Sequence, residues 1–510
     1  MSQMKTIAVA VATAVAMMAG AVHAAQGPSS SETPYLTPVA AGWDFTSIIT
    51  TGDTVGGYKM SGIPDGLGAY DNGNGTLTVL MNHELNNAQG VTRAHGGAGA
   101  FVSEWIVNKN TLQVTSGADL MQRVYSNSGS GWSSVSGATF ARFCSSDLPA
   151  TTALYNSSSG LGTQSRIYIT GEENGNGRGV AVVATGTDKG SAYVLPWATN
   201  VNAGWENLLA NPYSGDKTLV IGNADGGTNG LYVYAGNKTN TGNDIEKAGL
   251  VGGQVYRVSI NSNAVENRNA DANFGLVNGS GNFSLVAGTA TGTSFLRPED
   301  GAWDTKNPNK YYFVTTDRMD AAKDGNVNPD NPVGQVGRSR LWSLTFTDLA
   351  HPENGGKVDL LLDGTEAHQM LDNITVDKDG KLLMQEDVGN NQHNGKIWWF
   401  DPITKQMVLI AKHDVARFGD IGITGSITKD EESSGVIDIT ALVTDASWYQ
   451  AGRKYYLLDT QNHKASLDPA LVEGGQLMII SAPVPEPSTY ALMGAGLGLI
   501  AFVARRRKKQ

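Results

Sequence analysis

A single cysteine, Cys144, occurs in 510 residues, so no disulfide can form within the chain. Extended apolar periods of 3.6 residues are scarce, which argues against a helical architecture. Long apolar runs occur only near the two ends, so any membrane contact is confined to the termini. Positive charge is in deficit: 37 Lys and Arg stand against 48 Asp and Glu, a formal net charge of −11. Setting aside Lys5 and the five basic residues Arg505–Lys509 removes six positive charges and leaves −17. A body this acidic repels phosphate backbones, excludes nucleic acid as a partner and suits a binder of cations. An unpaired thiol in an exported protein is a liability unless it is buried as a small apolar group or holds a metal.

What is present begins with two addresses. Lys5 precedes an Ala-, Val- and Met-rich run from Ile7 to Val22, and Val22-His23-Ala24 supplies small residues for cleavage. Residues 1–24 therefore read as a secretory signal peptide. At the other end, Val484-Pro485-Glu486-Pro487-Ser488 is followed by the apolar run Tyr490–Ala504 and then by Arg505, Arg506, Arg507, Lys508 and Lys509. A short apolar span closed by a basic cluster stops in a membrane with the cluster inside. The order of these three parts resembles the PEP-CTERM sorting signal of Gram-negative bacteria. That resemblance implies recognition by an exosortase, and export to the periplasm, cell surface or extracellular matrix with a transient or retained C-terminal anchor.

Between the addresses, residues 26–42 read as a Pro/Ser-rich, disordered lead-in, and structure is expected from Trp43 to Ala482 without a linker. Gly (63 residues), Asn, Asp, Ser and Thr punctuate short apolar runs throughout, the pattern of a loop-rich all-β protein. One unit recurs six times: a strand-like run that ends on an acid, a polar loop, then a second strand-like run. The acid-ended runs are Thr76–Glu84, Arg166–Glu173, Thr218–Asp225, Tyr311–Asp317, Lys381–Asp387 and Lys454–Asp459. Their partners are Ala100–Val107, Gly179–Ala184, Leu231–Tyr234, Arg340–Phe346, Lys396–Phe400 and Gln476–Ile480. Recurrent antiparallel pairs are the sequence form of a β-propeller, here six-bladed, with long inter-strand loops at Asn237–Asp244, Asn261–Phe274 and Asp320–Pro332. Two β-sandwich domains are the competing architecture.

If the acid-ended runs line the propeller channel, Glu84, Glu172, Glu173, Asp225, Asp317, Glu386, Asp387 and Asp459 crowd one mouth. Carboxylates so crowded cannot all stay charged without compensation. Hard cations with oxygen ligands, above all calcium, supply it, and the Cys144 thiolate adds a softer ligand suited to a transition metal. Arg142 and Arg297 lie close in sequence to these groups and could make bidentate phosphate contacts, or surface salt bridges. His83 falls between Asn82 and Glu84, where strand alternation turns it away from Glu84 towards a structural role. Ser128-Gly129-Ser130-Gly131 matches only part of a nucleophile elbow.

Asn82-His83-Glu84, Cys144 ahead of Gly171-Glu172-Glu173-Asn174, Arg297-Pro298-Glu299-Asp300-Gly301, and Asp372-Asn373-Ile374 leading to Glu386-Asp387 together resemble the PhoX-type alkaline phosphatases over about residues 70–465. That resemblance implies a propeller whose mouth holds iron and calcium, and hydrolysis of small phosphate monoesters. It makes Cys144 an iron ligand, and Glu84, Glu172, Glu173, Glu299, Asp300, Glu386 and Asp387 iron or calcium ligands. Asp225 joins the metal set on its place at a strand end. Arg142 and Arg297 are the expected phosphate-binding groups. Two other functions fit the same sequence: a non-enzymatic surface or biofilm-matrix propeller stiffened by calcium, and a calcium-dependent lactonase-like hydrolase.

Overall fold

The computed structural model describes residues 23–261, 265, 266, 276, 278–320, 336, 337, 339–391 and 393–483. Most of the expected signal peptide, the sorting tail beyond Pro483 and nearly all of the loops Asn261–Phe274 and Asp320–Pro332 lie outside the described residues.

The described chain is nearly all-β in class, in the propeller-like arrangement expected. All six expected strand pairs form, for example Thr76–His83 with Phe101–Asn108 and Lys454–Asn462 with Gly474–Ala482. Each pair gains a strand on either side. The first sheet runs Pro64–Asp71, Thr76–His83, Phe101–Asn108, Val114–Asp119, in sequence order. A nine-stranded sheet contains two such four-stranded meanders, joined through Ser280–Ala287. The last meander takes its outer strand from the other end of the chain: Asp44–Thr50 pairs with Gly474–Ala482, Asp44 opposite Ser481. The two ends of the described residues thus belong to one sheet, which closes the ring.

The acid-ended runs are not the channel-lining strands. The strands that line the channel are Pro64–Asp71, Phe143–Asp147, Ala203–Ala210, Pro298–Trp303, Leu371–Val376 and Glu431–Asp438, and each packs against the next, the last against the first. The acid-ended runs pair with them as second strands, so their last residues still reach the same end of the channel. A channel-lining strand faces polar space rather than a second apolar layer, so it lacks the apolar alternation that makes a strand legible in sequence.

The cores lie between neighbouring sheets. Strand alternation explains how one run serves two of them. In Lys454–Asn462, Tyr455 and Leu457 pack with Leu67, Val79 and Trp105 of the first sheet, whereas Tyr456 and Leu458 pack with Leu383, Ile397 and Ile410 on the other side. Leu458 is fully buried. Leu458→Ala is expected to cost about 2–5 kcal/mol by leaving a cavity between two sheets; chemical denaturation checks this, and a loss under about 1 kcal/mol would mean that the sheets close up on the gap.

Residues 26–42 are not a disordered lead-in. Leu36–Pro38 adds an antiparallel strand to Met407–His413, and His23–Gln26 runs parallel to Asp44–Thr50. Two apolar anchors decide this. Tyr35 and Leu36 are buried, and the Tyr35 ring meets Phe418 edge-on at 5.5 Å. Arg417 holds the backbone carbonyl of Pro34 at 2.9 Å. A local Pro/Ser-rich composition hides such long-range partners.

One local device recurs at the channel mouth. Every channel-lining strand carries a register shift near its start. In five of the six, the residue just before the strand has positive φ: Ile63 (50°), Arg142 (52°), Asn202 (53°), Arg297 (58°) and Met370 (26°). None is glycine, so each costs on the order of 1–3 kcal/mol. A bulge re-aims the side chains that follow it, and here those side chains are the ones at the mouth.

Candidate functional site

The bulged strand starts bring one potential ligand each to the mouth: Asp65, Cys144, Glu206, Glu299, Asp372 and Glu432. The ends of the second strands add Glu84, Glu173 and Asp387. These nine residues form four groups of three whose ligand atoms lie within 4.8 Å of one another: Asp65, Glu84 and Cys144; Cys144, Glu173 and Glu206; Glu206, Glu299 and Asp372; Asp372, Asp387 and Glu432. Neighbouring groups share Cys144, Glu206 or Asp372, so the four make one continuous arc of eight carboxylates and a thiol.

Burial, with mutual repulsion added at most of them, pushes Asp65, Glu173, Glu206, Glu299, Asp372, Asp387 and Glu432 towards their neutral forms. Asp65, Glu206, Glu299 and Asp372 are all raised well above the usual carboxylate range, first by burial and then by neighbouring acids. Burial raises Glu173 to about 8, with Arg142 opposing and Glu84 adding to the shift. The Cys144 thiol is likewise driven up by burial and by Glu173, whose Oε2 accepts from Sγ at 2.9 Å.

Three cations answer this excess. The Arg142 guanidinium bridges Glu84, at 2.8 Å from Nε, and Glu173. Arg297 bridges Asp225, at 2.8 Å, and Glu299, at 2.7 Å. Both side chains remain about two-fifths exposed (43 % and 41 %), so their outer edges face solvent at the mouth. His463 sits 2.7 Å from Glu473 and 3.5 Å from Glu432. Burial would lower its pKa, but those two acids outweigh it and raise the ring to about 11. Gln461 Nε2 lies between Asp65, Glu84 and Glu432 at 3.1–3.3 Å, and Asp65 Oδ1 is buried with no hydrogen-bond partner. An arc of oxygen donors with one sulfur, in large excess over its cations, fits metal ions.

Of the residues singled out in the sequence, Glu84, Cys144, Glu173, Glu299 and Asp387 lie in the arc, with Arg142, Arg297 and Asp225 beside it. Glu172, Asp300 and Glu386 lie outside it. Glu172 turns to the Arg178 guanidinium, 2.5 Å from Nε. Glu386 accepts from the Trp398 indole at 2.7 Å and from the Gln369 amide at 2.8 Å. Asp300 accepts from the Ile374 amide at 3.0 Å and from Asn207, and faces a cavity of about 380 Å³ at the other end of the channel. The reason is common to all three. Adjacent strand residues point to opposite sides, so only one acid of Glu172-Glu173, Glu299-Asp300 and Glu386-Asp387 can enter the arc. Asp317 and Asp459 are buried but belong to none of the four groups. His83 is structural, as alternation implies: its ring stacks on Phe101 at 4.4 Å and burial lowers its pKa to about 3.

Sequence reading did not single out Asp65, Glu206, Asp372 and Glu432 as candidate ligands, although Asp372 stands in one of the family motifs. The available signal was one acid near the start of each short polar run upstream of an acid-ended run, as in Pro64-Asp65-Gly66 and Trp205-Glu206-Asn207.

Residues 483–508 match the model of the PEP-CTERM protein-sorting motif. The tail is a sorting signal. It marks the chain for export and for recognition by an exosortase. Among the described residues no helix is long and apolar enough to cross a membrane; the apolar run Tyr490–Ala504 lies outside them. No curated protein matches the chain by sequence. Among solved structures, the fold is similar to that of Pseudomonas fluorescens PhoX in complex with vanadate, a transition state analogue: TM-score 0.51, 13 % identity, 86 % of this chain and 95 % of that one. The BP39L lectin of Burkholderia pseudomallei (TM-score 0.35, 10 % identity, 84 % and 97 % covered) aligns more loosely. So does CoXyl43, a β-xylosidase/α-arabinofuranosidase from a compost microbial metagenome (TM-score 0.30, 7 % identity, 82 % and 90 % covered). At these identities the likeness speaks for the fold.

Proposed function

We propose that the protein is an exported, metal-dependent phosphoesterase that hydrolyses small phosphate monoesters, a divergent relative of the PhoX-type phosphatases. One observation carries this reading: a buried arc of eight carboxylates and a thiol opens beside two half-exposed arginines. In this reading Cys144, Glu173 and Glu206 would hold iron, and the two all-carboxylate groups that share Asp372 would hold calcium, with Asp65 and Glu84 completing the arc. When bound, such cations offset charge on a phosphoryl group and lower the pKa of water.

The chain's own part is positional. Arg142 and Arg297 now spend their donors on Glu84, Glu173, Asp225 and Glu299. Ligation of Glu173 and Glu299 would weaken their hold on the guanidiniums and leave donors for phosphoryl oxygens. The strained backbone at both arginines fixes where each guanidinium starts. The similarity to a PhoX solved with vanadate supports the same reaction class.

The test is phosphate release from an aryl phosphate by the purified protein loaded with calcium and iron, before and after chelation. Chelator-sensitive turnover is expected. A folded, metal-loaded protein that releases no phosphate would overturn the reading, and would leave the arc as calcium bracing of a surface propeller.

A further inference from the structure

The sorting motif begins at residue 483, one residue after the strand Gly474–Ala482 ends. That strand starts at the mouth, where Gly474 pairs with Asn462, and ends at the opposite end of the channel, where Ala482 pairs with Lys454. The eight residues from Ala482 to Tyr490, where the apolar run begins, reach at most about 29 Å. The body is therefore held close to whatever the tail enters, and by the face opposite the mouth.

That face has its own chemistry. Lys454 reaches from the tail exit to the turn that carries Asp377 and Asp379. Lys378 stands exposed on the same turn, and Lys306 lies against its Gly380. Lys310 and Lys405 follow on the neighbouring turns, their ammonium groups over Tyr312 at 5.7 Å and Phe400 at 5.9 Å. Lys306, Lys310 and Lys405 make no ion pair among the described residues. The acids close by are engaged: Asp377 and Asp379 with Lys454, Asp379 also with Lys378 at 3.3 Å, Asp401 with Lys381 at 2.8 Å, Asp304 with the Lys306 amide and the Tyr312 hydroxyl, and Asp438 with the Lys378 amide. Asp359 and Glu366, whose charges reach Lys405, accept from the Ser280 hydroxyl and from the Asp363 and Gly364 amides. Beside Lys405, Ile403 projects from its turn 84 % exposed. The molecule is thus polar in charge: acids crowd the mouth, and unpaired lysines around a projecting isoleucine mark the tail-bearing end.

We propose that Lys306, Lys310, Lys378, Lys405 and Ile403 form a docking surface for an anionic lipid bilayer, on which the body rests while its tail is attached, with the mouth turned away. Basic residues near an anionic surface are attracted within about a Debye length, and one apolar side chain among them can enter the headgroup layer. The same surface charge repels the acidic mouth, so both ends favour one orientation.

The test reconstitutes the full chain in phosphatidylcholine vesicles with or without phosphatidylglycerol, with spin-labelled acyl chains as quenchers. An environment-sensitive dye is placed at Ile403→Cys or, on the mouth rim, at Asn176→Cys; native Cys144 is buried and escapes labelling. Quenching several-fold stronger at 403 than at 176, and stronger with phosphatidylglycerol, is expected. The triple variant Lys306→Glu/Lys310→Glu/Lys405→Glu should lose the phosphatidylglycerol effect while keeping its Tm. Equal quenching at both positions, stronger quenching at 176, or no response to the triple variant would overturn the proposal.

Discussion

Glu206→Gln is expected to lower aryl phosphate turnover by more than about a hundredfold and to release metal. Glu206 belongs to two of the four acidic groups, one containing Cys144 and the other Glu299 and Asp372. Its loss therefore opens the arc in the middle, while an end member such as Glu84 serves one group only. Loss of a hydrogen-bonding partner of a metal ligand already costs about 10–100-fold in affinity or activity, and a shared ligand should exceed that range. The substitution removes a charge that burial and Glu299 already disfavour, so the metal-free fold should be no less stable. The control is Glu172→Gln, one residue from the arc but turned to Arg178; it should keep its metal. Metal content by elemental analysis and turnover on both variants decide the point. If Glu206→Gln keeps full activity, or if Glu172→Gln loses metal equally, the arc is not the working site.

The second large effect is on stability against pH. The folded pKa of Glu173 lies above its unfolded value, at about 8 against an ordinary 4.5. Below about pH 4 the acid is protonated in both states and costs nothing. As pH rises from there towards 8, the unfolded chain ionises freely while the buried acid resists, so folding loses free energy. At about 1.4 kcal/mol per pKa unit, Glu173 alone accounts for a few kcal/mol. Asp65, Glu206, Glu299 and Asp372 shift in the same direction. Chelated protein should therefore melt at progressively lower temperature from pH 5 to pH 9, and calcium should restore most stability at the alkaline end. Calorimetry with and without chelator measures this directly. A chelated Tm that is flat or rises with pH would show that the arginines and His463 already balance the arc.

Much of the site was legible because acids recur at the ends of apolar runs, and apolar alternation marks a strand clearly. Glu84, Glu173 and Asp387 are visible for that reason. Cys144 and Glu299 came from the family motifs, whereas Asp65, Glu206, Asp372 and Glu432 sit on strands that line a polar channel, where alternation is absent, and Asp65 and Glu206 pass for turn or surface residues. Paired acids misled in the opposite direction, because a sequence does not say which of two neighbours faces inward. The lead-in was misjudged from composition, since Tyr35 and Leu36 find their partners only near Phe418 and on Met407–His413.

By itself the sequence determined the all-β class, the six repeated strand pairs and the sorting tail, because these depend on local alternation, turn residues and the linear order of a signal. Only the tertiary structure decided that those pairs are second and third strands, that Arg142 and Arg297 each bridge two acids, and that the tail leaves from the end opposite the mouth. Those outcomes depend on ring closure between residues hundreds of positions apart, and on bulges that re-aim side chains at the mouth. Neither leaves a mark in local composition.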